Sequence, residues 1–209
     1  MHLRCFLVSV LWLSPFVGLN LLSQSPYFQV NTHLGTIIKH RSTITFETGG
    51  LSYGTDLNLY WQTRGQKEWQ ELQKFPRFFL TTRYHSLGDA EVVGKAFALV
   101  SGVEFNLARF KKSSIHFGYG FGLAYLTKPF DRISNPSNNA IGSHLNIPLL
   151  LKFDYEHRFL DKYLLHFGVR LDHYSNGARR LPNLGLNLPA VYIGSVSYTH
   201  LTLPTTPYV

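Results

Sequence analysis

The residues best suited to chemistry lie in the run Asp-His-Tyr-Ser-Asn-Gly, which occupies positions 172–177. His173 and Ser175 are two residues apart, so in a β-strand both side chains point to the same face. A serine hydroxyl beside an imidazole is the minimum for an activated nucleophile with a histidine as general base. The spacing therefore predicts nucleophilic catalysis by Ser175, assisted by His173.

The position of this pair in the sequence distinguishes a catalytic motif from a chance occurrence. The chain has 10 histidines, so a chance His-x-Ser is common, and a polar pair at a strand end often lies idle at an interface. Here, however, the pair follows a run of apolar residues on the same face of the segment, and it falls where the strand should reach lipid headgroups. Those apolar residues are Leu165, Phe167, Val169 and Leu171.

The elements that position the pair are indicated by a period of two in the sequence. Apolar residues alternate with polar or small ones over stretches of about ten residues, the length that a tilted transmembrane strand needs. We predict an all-β fold, an antiparallel transmembrane β-barrel of eight strands with the last one truncated. A soluble sandwich or a lipocalin also alternates in this way and is the alternative. The predicted strands are 27–36, 54–62, 75–86, 94–107, 115–125, 145–156, 163–175 and a start at 189–194.

Composition supports a surface that faces something other than water. Of the 209 residues, 44% are hydrophobic and only 15% are charged, against about 25% charged in a typical soluble domain. No apolar run of about 18 residues occurs after the N-terminal segment, which excludes a helical membrane protein. The formal charge is +8, but an exported barrel has no access to nucleic acid, so we expect no such partner.

The two ends are predicted to lie outside the working fold. Residues 1–25 resemble a secretory signal peptide, with a basic start, an apolar centre and small residues near the cleavage point. The segment from Val196 to Thr205 back-translates into DNA that resembles a sequencing-library adapter, so residues 195–209 are predicted to be a non-native tail; a natural Thr-rich tail is the alternative. The barrel is then assigned to residues 26–194.

Several motifs together resemble the lipid A 3-O-deacylases of the outer membrane (acyloxyacyl hydrolase family), in the form found in Bacteroidetes. The motifs are His173–Gly177, Pro182–Asn187, Phe121–Asp131 and Ala140–His144, and the resemblance extends from about Gly54 to Gly194. It implies an eight-stranded barrel in the outer membrane of a Gram-negative cell that removes the acyl chain at position 3 of lipid A.

The resemblance also implies a third catalytic residue, often a glutamate fourteen positions after the histidine. Asn187 occupies this position, and an amide oxygen can orient a histidine but carries no charge to stabilise the imidazolium. Asp172 is a poor replacement, because it points to the opposite strand face. For the oxyanion we expect the Asn176 side chain and the Gly177 backbone N–H as donors.

Charged and polar residues near the site are predicted to bind the substrate. Arg179 and Arg180 offer bidentate geometry for a lipid A phosphate, although solvated loop charges are equally expected there. Lys128 and Asn183 are fainter candidates of the same kind. The predicted partners are thus lipid A, membrane lipids and, as an open alternative, a second copy of the chain.

Other functions compete with deacylation. The same His-x-Ser-Asn-Gly motif, with Asn187 fourteen residues beyond the histidine, also resembles outer membrane phospholipase A, a calcium-assisted enzyme, but calcium-binding carboxylates are not evident near the site. A non-enzymatic structural barrel would keep the strands and have no use for the Ser175–His173 pair. No metal or other cofactor is predicted, because isolated histidines such as His116 and His166 are more simply explained as hydrogen-bonded groups in the barrel interior.

Overall fold

The strands form a closed antiparallel barrel. The structure, a computed structural model, describes residues 26–159 and 163–197. Each strand pairs with the next along the chain, and the first pairs with the last. This confirms the predicted fold class. The strands are β1 (Tyr27–Thr36), β2 (Leu51–Gln62), β3 (Arg77–Ser86), β4 (Lys95–Arg109), β5 (Ser113–Leu126), β6 (Leu145–Phe159), β7 (Tyr163–Ser175) and β8 (Leu186–Ser197).

The last strand differs most from its prediction. β8 begins three residues before the predicted start at Pro189 and pairs with β1 from Ala190 to Ser195. The strand expected to be cut short therefore closes the barrel, and residues 195–197 of the predicted tail belong to it. Residues 1–25 and 198–209 lie outside the described residues, so the signal peptide and the non-native tail stay predictions.

One short helix also departs from the sequence analysis. The connection between β2 and β3 contains α1 (Glu68–Leu72), where Trp69 packs edge-on against Phe78 with ring centroids 6.4 Å apart. The side chain of Gln70 is buried there and accepts the backbone N–H of Gln66 at 2.9 Å. Within residues 26–159 and 163–197, no helix is long and apolar enough to cross a membrane.

Four loops meet at the end of the barrel that we call the outer end. They are L1 (37–50), L2 (87–94), L3 (127–144) and L4 (176–185). Apolar side chains of L1, L2 and L3 pack with the start of β8 into one buried cluster that caps the lumen, and Leu184 of L4 packs against it. Burying them offsets the conformational entropy lost when the loops are ordered. The cluster includes Ile37, Ile44, Phe46, Leu87, Val93, Ala140, Ile141 and Leu186.

Side chains alternate between lipid and lumen as the period of two predicts. On β6 and β7 the apolar positions are exposed on the outside of the barrel, and their neighbours are buried inside. Many of the buried side chains are charged, so the lumen needs internal partners for them. In the outer half, Arg83 and Arg170 lie between Asp56 and Asp172, with the Arg83 Nε donating to Asp56 at 2.7 Å and its Nη1 to Asp172 at 2.5 Å.

The inner half of the lumen contains a second ion cluster. Arg77 donates from Nε to Glu104 at 2.6 Å and from Nη1 to Glu156 at 2.7 Å, and Lys152 also pairs with Glu104. Tyr60 donates its hydroxyl to Glu104 at 2.8 Å. These contacts join β2, β3, β4 and β6 through the lumen, so they fill it and hold its walls together.

Breaking the outer ion cluster should destabilise the barrel strongly. Arg83→Met leaves Asp56 and Asp172 buried with Arg170 as their remaining cation, and removing one partner of a buried pair costs about 3–5 kcal/mol. We expect a loss of this size in the free energy of unfolding, measured by denaturant titration in lipid vesicles. Arg109→Met, at an exposed end of β4, is the control and should change stability by less than about 0.5 kcal/mol. Equal stability of the two variants would contradict this account of the lumen.

Candidate active site

The outer end of β7 presents the predicted pair to the lipid side. The side chains of His173 and Ser175 are half-buried on the outer face, while Asp172 and Tyr174 are fully buried in the lumen. Tyr174 bonds through its hydroxyl to Nδ1 of His85 at 3.1 Å. The buried side chains of Asp172 and Tyr174 thus hold the backbone on both sides of His173. The Asp172 carboxylate binds arginines in the lumen, so it faces away from the His173 imidazole.

His173 is held by the neighbouring strand. It lies opposite Asn187 of β8, and its Nδ1 is 2.6 Å from the Asn187 Oδ1. An amide oxygen only accepts hydrogen bonds, so Nδ1 carries the hydrogen and Nε2 keeps its lone pair. The arrangement gives the imidazole the tautomer that a general base at Nε2 requires.

Ser175 is surrounded by donors. Its Oγ accepts the backbone N–H of Gly177 at 3.1 Å and the Nδ2 of Asn183 at 3.3 Å. Both acceptor positions of the hydroxyl are then used, which leaves its hydrogen available to a base. Within the part of the chain that the structure describes, no hydrogen bond joins Ser175 to His173. Residues two apart on a strand are separated by about 7 Å, and such contacts often tighten only when substrate binds.

The turn after Ser175 depends on two asparagines. The backbone N–H of Asn176 donates to the Oδ1 of Asn183 at 3.0 Å, which brings Asn183 beside the serine. The Asn176 side chain donates both amide hydrogens elsewhere, to the Oγ of Ser143 at 2.9 Å and the carbonyl of Arg180 at 2.8 Å. In this conformation the Asn176 side chain braces L4, and its N–H groups are not free for the oxyanion role predicted from sequence.

Gly185 lets L4 return close to the histidine. Its φ of +81° lies in the left-handed region, and a Cβ there would be 2.7 Å from the His173 Cε1. Its backbone N–H donates to the carbonyl of Ala140 in L3 at 3.0 Å. A side chain at this position would push the imidazole away from its place, so the glycine is required by both the turn and the site.

The predicted cations lie on two different loops. Arg179 and Arg180 are exposed on L4, whereas Lys128 lies at the start of L3, where a Cβ on Gly94 of L2 would be 2.7 Å from its Cγ. The pKa of the Asp131 carboxyl is lowered, because the backbone N–H groups of Ser134 and Ile133 and the Ser134 hydroxyl donate to it. Arg180 is near enough to add to this shift, so its charge is partly compensated.

Two contacts of L1 near the site were not predicted from the sequence. The backbone N–H of Ile38 donates to the carbonyl of Asn187 at 2.9 Å, and the His40 Nε2 bonds to the carbonyl of Leu184 at 3.0 Å. They bring the first loop against the β7–β8 strand pair that carries the predicted site residues. Nothing in the sequence signals these contacts, because more than 140 positions and most strands of the barrel separate the partners.

A possible metal-binding group lies in the inner half of the lumen, away from this site. Asp154, Glu156 and His166 bring ligand atoms within 4.8 Å of one another. Arg77 lies 3.4 Å from the Asp154 carboxylate and 2.7 Å from that of Glu156, so a guanidinium already contacts both carboxylates of the group. His166 bonds to Asp154 through Nδ1, and its buried Nε2 has no hydrogen-bond partner among residues 26–159 and 163–197. His116 bonds to the Ser114 hydroxyl at 2.9 Å.

Comparison with known proteins identifies a family that matches this chain. A family model described as "Lipid A 3-O-deacylase (PagL)" matches residues 53–195. No curated protein sequence matches the chain. The crystal structure of the outer membrane enzyme PagL is similar, with 19% identity, a TM-score of 0.54 and coverage of 79% of this chain and 97% of that one. Neisserial surface protein A is also similar, with 11% identity, a TM-score of 0.53 and coverage of 82% and 96%. At these identities, the two structures support the fold alone.

Proposed function

The chain belongs to the lipid A 3-O-deacylase family, as the match over residues 53–195 shows, and we propose that Ser175, His173 and Asn187 perform its ester hydrolysis. The protein is an outer-membrane ester hydrolase. The observation that supports this assignment of residues is the outward-facing pair at the outer end of β7, with His173 held by Asn187 at 2.6 Å. A nucleophile in this place meets esters of membrane lipids, since the same face of the strand is otherwise apolar.

The reaction follows from the hydrogen bonds. Ser175 Oγ attacks the acyl carbonyl while the His173 Nε2 takes its proton, and Asn187 holds the resulting imidazolium through Nδ1–H. The carbonyl oxygen becomes an oxyanion beside Oγ. The Gly177 N–H and the Asn183 Nδ2, which both point at Oγ, are the donors placed to stabilise it. His173 then protonates the leaving sugar oxygen. In the second half of the reaction, His173 takes a proton from water as the water oxygen attacks the acyl carbonyl, and it returns the proton to Ser175 Oγ as the bond to the fatty acid breaks.

The outer wall of the barrel offers a path for the acyl chain. Ile147 lies opposite Ser175, and Leu149 lies opposite His173 on the adjacent strand. Below them Leu171 continues the apolar surface towards the membrane centre. An acyl chain lying along this wall stays in the hydrocarbon layer while its ester bond reaches the serine at the headgroup level.

The polar part of lipid A would then meet the loops. Arg179 and Arg180 are both exposed in L4, where they are placed to contact a phosphate. Lys128 lies at the start of L3, beside Gly94 of L2. Export by the N-terminal signal peptide and pairing with a second copy of the chain remain predictions from the sequence.

Mass spectrometry of lipid A from cells with and without the expressed protein tests the function. We expect a lipid A species lighter by one 3-hydroxyacyl chain, with that free acid released. Unchanged lipid A accompanied by fatty acid from phospholipids would instead assign a phospholipase. Hydrolysis of neither lipid would contradict the enzymatic assignment and favour a structural barrel.

A further inference from the structure

A short basic segment of L1 lies beside the proposed active site. It consists of Lys39, His40 and Arg41, which follow directly after Ile38. The backbone N–H of Ile38 donates to the carbonyl of Asn187 at 2.9 Å. Asn187 is the residue whose side chain holds His173. The basic segment therefore starts at the residue that follows a backbone contact with Asn187.

A second contact fixes the segment on its other side. The His40 ring donates from Nε2 to the carbonyl of Leu184 at 3.0 Å, since a carbonyl oxygen only accepts. Leu184 precedes Gly185, which packs against the His173 ring. The segment is therefore anchored at two points to the residues around the site, which distinguishes it from a solvated loop of arbitrary position.

The charges of this segment are exposed and uncompensated. Lys39 and Arg41 are both exposed, and neither forms an ion pair with any residue in the described ranges 26–159 and 163–197. Two free cations beside an ester-cleaving site favour an anionic group on the same substrate molecule.

We propose that Lys39 and Arg41 bind a phosphate of lipid A while its 3-O-ester lies at Ser175. This inference rests on the proposed function and adds a specificity site to it, in a segment that precedes the family-model match beginning at residue 53. A guanidinium supplies paired N–H donors to phosphate oxygens, and an ammonium adds a compact charge. Lipid A approaching from the outer leaflet would thus be held on the β8 side of the nucleophile by L1.

The test compares two substrates with one double variant. Lys39→Gln with Arg41→Gln should raise the KM for phosphorylated lipid A by about tenfold or more and leave kcat nearly unchanged, because charge-assisted contacts to the headgroup are lost. With lipid A from which the phosphates have been removed, the KM of the variant should equal that of the wild type. Lys111→Gln with Lys112→Gln is the matched control, with the same loss of charge in the exposed turn between β4 and β5 at the opposite end of the barrel.

Binding separates this inference from the proposed function. The same substitutions are made in a Ser175→Ala background, and retention of phosphorylated lipid A in detergent micelles is measured without hydrolysis. Phosphate-dependent binding that is lost in the double variant supports the L1 site, even if the wild type hydrolyses neither substrate. An unchanged KM and unchanged binding, or an equal loss with both substrates, would overturn it while leaving the assignment of Ser175 intact.

Discussion

Ser175→Ala is expected to abolish release of the 3-O-acyl chain, with a fall in kcat of about 10³-fold or more, because no other group at the site can form the acyl-enzyme. The barrel should remain folded. Ser175 is half-buried at the outer face, and the hydrogen bonds it accepts come from Gly177 and Asn183 in L4. The loss should therefore appear in activity and not in the free energy of unfolding.

The measurement needs a serine control in a similar environment. Ser101 is exposed on the lipid side of β4, where its Oγ bonds to the carbonyl of Phe121 at 3.4 Å. Ser101→Ala should keep full activity in the same assay of released 3-hydroxy fatty acid. Substantial deacylation by Ser175→Ala, at equal amounts of folded protein, would exclude the serine as nucleophile.

The barrel could be predicted because its strands are determined by a local pattern. The boundaries of β1 and β7 agree with the prediction at both ends, and the outward direction of His173 and Ser175 follows from the period of two. β8 was predicted less well at both ends: it begins three residues before the predicted start at Pro189, and residues 195–197, which were assigned to a non-native tail, lie within it. The helix α1 was missed because its few residues carry too little periodicity to identify.

The hydrogen bonds within the site are harder to predict from the sequence, because they depend on how the loops fold back onto the barrel. Asn176 and Asn183 are chemically identical, and proximity in the chain favoured Asn176 as the oxyanion donor. In the fold, the Asn176 amide is used by Ser143 and the Arg180 carbonyl, while the Asn183 amide reaches Ser175. The pairing of Arg83 with Asp56 and Asp172 is equally non-local, since it joins three strands through the lumen.

The identity of residue 187 should control the efficiency of the histidine. Asn187→Leu keeps the approximate size of the side chain and removes the acceptor, so the His173 ring loses its 2.6 Å contact and its fixed tautomer. We expect kcat to fall by about 10²- to 10⁴-fold, the range seen when the orienting group of a triad is disabled. Folding should be retained, since Asn187 is half-buried on the outer face of β8.

Asn187→Asp should raise kcat. A carboxylate cannot donate to Nδ1, so it enforces the productive tautomer, and its charge stabilises the imidazolium that forms as Ser175 attacks. We expect kcat to rise by about tenfold, since charge-assisted hydrogen bonds are about twice as strong as neutral ones. Steady-state kinetics on lipid A for the wild type and both variants give the comparison, and Asn187→Asp in a Ser175→Ala background should remain inactive. If Asn187→Asp lost as much activity as Asn187→Leu, residue 187 would not serve as an acceptor for His173, and the histidine would need another orienting group.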